Sequence, residues 1–145
     1  MEDLISLVTH PSRYLGEEIN IIKKDLSQVS LTICLAFPDV YEIGMSHLGL
    51  QILYHLLNGR PDVAAERVYA PGLDMEQVLR EKNRKLTSLE STCPVDTFDL
   101  LGFSLQYELS YTNIINMLDL SGIPLYASQR RETFPLIVGG GPCAF

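Results

Sequence analysis

The sequence predicts a doubly wound α/β domain built on a mainly parallel sheet. Two observations carry that expectation. Apolar, partly β-branched runs alternate with stretches of helical spacing, and glycine or proline turns close most of them. A chain of 145 residues is also about one domain long, enough to bury a single core without a metal or a disulfide.

Residues 1–28 mix short apolar clusters with Pro11, Gly16 and the acidic pair Glu17 and Glu18. They read as a lead-in arm packed on a domain of residues 29–145. Residues 29–37 form an apolar run of the kind that central parallel strands show, ending at Pro38 and Asp39. A helix is expected over 47–57, with Ser46 as its cap and Asn58-Gly59 as its stop. Leu50, Ile52, Leu53, Leu56 and Leu57 leave little of it polar, so it is expected to be well buried.

A weaker strand is predicted over 66–70, closed by Pro71 and Gly72. Asp74 followed by Gln77 reads as a capping box, with Met75, Val78 and Leu79 as the stripe of a second helix. Residues 86–89 read as a short extra strand or an extended connection. Residues 98–105 are the next strand, and Ser110 is placed to cap a helix carrying Tyr111, Ile114, Ile115 and Leu118. Residues 136–138 are read as a last, buried strand in the middle of the sheet, running into Gly139, Gly140 and Gly141. Such a glycine turn normally opens another helix, so a further unit is expected beyond Phe145.

Composition excludes several classes. Hydrophobic residues make up 46% and charged residues 20%, proportions of a folded domain rather than a disordered one. A net charge of −7, with the basic pairs scattered, argues against direct nucleic-acid binding. Cys34, Cys93 and Cys143 lie far apart with no CxxC spacing, so no metal site is expected here, and their odd number suits a reducing compartment. No stretch reaches signal-peptide or membrane-spanning form. The expected location is the cytoplasm.

In an open parallel sheet the ligand crevice lies beyond the carboxyl ends of the strands, which leaves three loops to supply a site. The first carries Asp39, Glu42, Gly44 and Ser46. Two carboxylates there disfavour a phosphate cradle, and neither GxGxxG nor a P-loop is present. Asp39 and Glu42 either meet a ligand or satisfy loop amides. The second loop offers Ser104 and Gln106. In the third, Gly139, Gly140 and Gly141 let the main chain approach whatever fills the crevice, or form only a tight turn. His47 and His55 sit eight positions apart on one helix, and no catalytic or metal-binding cluster assembles from neighbouring positions.

The segment AFPDVYEIGMSHLG at 36–49, together with GFSLQYELS at 102–110, VGGGPC at 138–143 and PSRYLGEE at 11–18, resembles the N-terminal region of a family of bacterial radical S-adenosylmethionine proteins. The likeness spans nearly the whole chain. It implies a cobalamin-binding-type domain, followed by a downstream radical S-adenosylmethionine barrel that carries a [4Fe–4S] cluster on CxxxCxxC. Carried over, it sets a corrinoid or its nucleotide tail against Asp39, Glu42, Gly44 and Ser46, against Ser104 and Gln106, and against Gly139, Gly140 and Gly141. Cobalamin domains that ligate cobalt through histidine carry D-x-H-x-x-G. Here Met45 stands two positions before His47 and Leu50 three after, so cobalt ligation by His47 is not supported.

The implied function is an accessory domain of a radical enzyme, cobalamin-binding or a degenerate relative, and not catalytic by itself. The alternative is a docking module without a cofactor that packs on the barrel or on a partner protein. A receiver domain fits poorly, because Asp99 lies at the wrong end of its strand. A flavin site also fits poorly, because the first loop is acidic.

Overall fold

A computed structural model describes residues 2–144. Its centre is a four-stranded, all-parallel sheet: β1 (Leu31–Phe37), β2 (Val63–Tyr69), β3 (Leu100–Ser104) and β4 (Leu136–Gly140), in the order β2-β1-β3-β4. Five α-helices accompany it: α1 (Glu2–Ile5), α2 (Tyr41–Gly44), α3 (Leu48–Asn58), α4 (Leu73–Glu81) and α5 (Tyr111–Leu120). The predicted doubly wound α/β fold of the Rossmann or flavodoxin kind is therefore present. From β1 the chain steps one way through α3 to β2, then returns past β1 through α4 to β3. The switch point, where a crevice opens in such sheets, lies between β1 and β3.

Two cores follow from the period-2 alternation of the strands. On one face Cys34, Ala36, Val68, Leu101 and Phe103 pack under Met75 and Leu79 of α4 and Met117 and Leu118 of α5. Leu4 and Val8 of the arm join this core. On the other face Ile33, Leu35, Phe37, Val63 and Ala65 pack under Leu50 and Tyr54 of α3.

β2 is an outermost strand, yet all seven of its residues are buried. Its free edge is occupied by other parts of the chain. The Lys24 ammonium donates to Val63 O at 2.7 Å and also to Asn58 O and Arg60 O, which ends α3 and ties down the arm. The Asn58 carboxamide takes both backbone groups of Ala65. The Glu90 carboxylate accepts the Arg67 N–H at 2.7 Å, and Leu89 N–H donates to Arg67 O. The opposite edge differs. β4 was expected to be buried in the middle of the sheet, but it is outermost and mostly exposed, with Leu136 at 65% and Val138 at 41%. An apolar run does not reveal whether anything covers it.

Several local expectations are corrected. Ser46 does not cap α3: its hydroxyl donates back to Ile43 O, and the cap is His47, whose Nδ1 accepts the Leu50 N–H at 3.1 Å. Nor is α3 wholly buried, since Leu48, Ile52, Leu53 and Leu56 are exposed. Asp74 and Gln77 form no capping box. Gly72 precedes α4, Asp74 accepts the Thr9 and Met75 N–H groups, and Gln77 turns to Glu81. The Ser110 hydroxyl donates to Tyr107 O and does not cap α5. Residues 86–89 are an extended connection with one antiparallel bridge, Thr87 to Pro94. β2 begins three residues earlier than expected, because the buried pair Glu66 and Arg67 interrupts its apolar pattern.

Candidate functional site

An open groove of about 530 Å³ runs along the α3 face of the sheet at the switch point. Its floor is β1, β3 and β4, with Ile33, Leu35, Leu100 and Val138 around Gly102 and Gly140, and one wall is Leu53 and Leu57 of α3. Glycines make the hollow. A Cβ on Gly140 would meet nothing within 4 Å, and one on Gly102 would meet Leu100, Val138 and Leu35 only at ordinary contact distances. Side chains there would fill the groove, so their absence creates it. Toward the carboxyl ends of the strands the mouth is lined by His47, Ser104, Gln106 and Gly139 to Gly141. None of these carries a fixed charge.

Of the three loops that the sequence set at one crevice, the second and third come together here. Gly141, at φ +130°, lies so close to Leu105 that a Cβ would stand 2.4 Å from Leu105 O, and Leu105 N–H donates to Gly140 O at 2.7 Å. The glycine turn is clamped to the Ser104–Gln106 loop by backbone contact that only glycine permits.

The first loop is placed differently. Asp39, Glu42, Gly44 and Ser46 do not line the groove. Asp39 accepts the Val40 N–H and the Tyr107 hydroxyl, joining the first loop to the second. That contact makes the Tyr107 hydroxyl harder to ionise than usual. Glu42 meets Arg13 of the arm at 2.6 Å. Burial works against its charge, but Arg13 holds the Glu42 carboxyl below the usual carboxylate range. Gly44 is buried under Tyr69 and Phe37, where a Cβ would stand 2.5 Å from the Tyr69 ring. These residues hold α2 and the arm in place.

His47 and Gly102 are among the groove residues that sequence reasoning left out of the site; Gly102 carried no signal beyond being a glycine inside a strand, whereas His47 did. Its position eight residues before His55 suggested a place on the helix face. The readable signal was its position one residue before Leu48, where an acceptor side chain is worth most to a helix start. Its ring packs against Phe37, with centroids 5.0 Å apart.

A second, smaller space of about 30 Å³ lies beneath Tyr14, Tyr41 and Tyr69. The Tyr69 and Thr87 hydroxyls have no hydrogen-bond partner among the described residues. The space suits a water molecule or two and is too small for a cofactor. Beside it, Arg67 is 1% exposed and meets Glu90 at 2.7 Å and Glu18 at 2.8 Å, while its guanidinium lies 4.4 Å from the centre of the Tyr54 ring. Burial disfavours the charge of Arg67, but Glu90 more than offsets this and keeps it protonated. Tyr41, half-buried and hydrogen-bonded to Glu18, has its hydroxyl pushed up to about 12.

Among the described residues no three His, Cys, Asp or Glu side chains cluster to hold a metal ion, and no helix is long and apolar enough to cross a membrane. Cys34 is buried, Cys93 and Cys143 are half-buried, and all three are free thiols.

No curated protein and no solved structure matches the chain. The family described as the N-terminal region of radical SAM proteins does match it, over residues 49–145. That span holds Gly102, Ser104, Gln106 and the three glycines of the groove, and begins just after His47. With well over half of its length matched, the chain belongs to the family of radical SAM protein N-terminal domains.

Proposed function

We propose that this domain is a corrinoid-binding accessory module of a radical SAM enzyme, and that the groove receives the nucleotide tail of cobalamin. The carrying observation is the groove itself, an uncharged and mostly apolar slot whose floor is opened by Gly102 and Gly140 at the switch point of the sheet. A flat heterocycle fits such a slot, and Ser104, Gln106 and the main chain of Gly139 to Gly141 are placed to meet its polar end. Bound cobalamin would supply organocobalt or redox chemistry. This domain's own residues would only hold and orient it, and the cleavage of S-adenosylmethionine would belong to a downstream barrel with its [4Fe–4S] cluster. The purified protein is expected to retain hydroxocobalamin through gel filtration, with a shifted visible spectrum. Complete loss of corrinoid on the column would count against this reading.

A second reading is favoured by one observation. Leu53 of α3 and Val138 of β4 line the groove and are exposed, and Ile52 and Leu56 of the same helix and Leu136 of the same strand are exposed as well. The same face would serve a docking module that packs on the downstream barrel or on a partner protein. On this reading the protein binds no corrinoid, and limited proteolysis fails to separate the domains.

A further inference from the structure

We infer that His47 recognises the groove's occupant as a hydrogen-bond donor through Nε2, and that it is not a cobalt ligand. The inference rests on the corrinoid reading above and deepens it by naming the residue that grips the ligand's anionic group. Nδ1 of His47 accepts the Leu50 N–H at 3.1 Å as the cap of α3. A neutral imidazole with its Nδ1 lone pair so engaged carries its single proton on Nε2. A metal-bound histidine is the reverse case, in which Nε2 gives its lone pair to the metal and Nδ1–H donates to an acceptor behind it. Here Nδ1 faces an N–H group. Ligation through Nε2 would set two N–H groups against each other and abolish the cap.

The ring has little freedom to escape this arrangement. It packs on Phe37, and even a Cβ at position 49 would stand only 3.0 Å from His47 Cε1. Gly49 therefore leaves the space the imidazole occupies. No Asp, Glu, Lys or Arg lines the groove, so the side-chain donors at its mouth are His47, Ser104 and Gln106. The part of cobalamin that needs such donors beside an apolar slot is the single phosphodiester of its nucleotide tail, the one formally anionic group next to the heterocycle.

The test uses three corrinoid measurements on the protein and its His47→Asn variant. Asparagine can still accept the Leu50 N–H as a helix cap, so the fold should survive while the Nε2–H is lost. The expected result is that hydroxocobalamin binds the variant at least tenfold more weakly than the parent. Cobinamide, which lacks the nucleotide tail, should bind both equally. The EPR spectrum of bound cob(II)alamin should not change when histidine is labelled with nitrogen-15. Equal hydroxocobalamin affinity in the two proteins would overturn the inference, as would a histidine-derived superhyperfine splitting. If thermal melting shows that His47→Asn is unfolded, His47→Asp supplies the same comparison, since it also caps and adds a charge repelling the phosphodiester. Failure of the parent protein to retain any corrinoid would sink the underlying reading and the inference with it. Retention with no loss in the variant sinks the inference alone.

Discussion

The side-chain amide of Asn58, in the last turn of α3, pairs with both backbone groups of Ala65 on the free edge of β2. Its Nδ2–H donates to Ala65 O at 2.9 Å, and its Oδ1 accepts the Ala65 N–H at 3.0 Å. One side chain thus does what a neighbouring strand would do, and closes an edge that would otherwise attract another chain. Asn58→Ala strands two buried backbone groups and is expected to cost about 2–4 kcal/mol. The urea midpoint should fall with little change in slope, and an unchanged midpoint would show that the pairing matters little.

The Arg67–Glu90 pair stabilises the same edge from inside. Removing only Arg67, as in Arg67→Met, leaves the Glu90 carboxylate buried beside apolar groups and should cost about 3–5 kcal/mol. The double variant Arg67→Met/Glu90→Gln removes the stranded charge and keeps an acceptor for the backbone N–H of residue 67. It should recover part of that loss, and a fully additive loss in the double variant would refute the coupling.

Acid should release the arm before it unfolds the sheet. Asp74 accepts the Thr9 N–H at 2.7 Å, and that hydrogen bond, assisted by the one from Met75 and opposed by burial, holds its carboxyl below the ordinary value of 3.8. A carboxyl depressed on folding contributes fully above its unfolded pKa and loses its contribution as pH falls through the lowered folded value. The Thr9 amide should therefore be protected from hydrogen exchange at neutral pH and lose protection only below about pH 4. In Asp74→Asn protection should be weak at every pH, and strong protection there would remove Asp74 as the cause.

Filling the groove separates binding from folding. A Cβ at Gly102 would have no neighbour closer than 3.6 Å, so Gly102→Val is expected to fold with a melting temperature near that of the parent. Its side chain would occupy the slot, and retention of hydroxocobalamin should fall at least tenfold. Undiminished retention in a folded Gly102→Val protein would move the ligand elsewhere.

Much of the fold is legible along the chain because it is written in local patterns. The apolar run before Pro38 and the helical spacing of Tyr111, Ile114 and Leu118 survive in β1 and α5, since both depend on near neighbours in sequence. The sequence set three loops at one crevice, because carboxyl ends of parallel strands share one side of the sheet; Ser104 and Gln106 do meet Gly139 to Gly141 at the groove, whereas the first loop's residues do not. What the pattern blurred was the extent of β2: it reads as a weak strand over 66–70 but starts at Val63, and its charges Glu66 and Arg67 are buried only because Glu90, Glu18 and Ser91 are brought against them.

Capping also escaped the sequence, because Ser46 and His47 are both able to accept an amide and only the path of the loop decides which one does. By itself, then, the order of residues determined the alternation of strands and helices and the glycine turn, which follow from propensity and periodicity. Tertiary structure alone decided that Glu42 faces Arg13, that β4 ends up at an exposed edge, and that His47 lines the groove. Those outcomes depend on groups distant in sequence meeting in space, where burial and hydrogen-bond geometry, not local pattern, choose the partner.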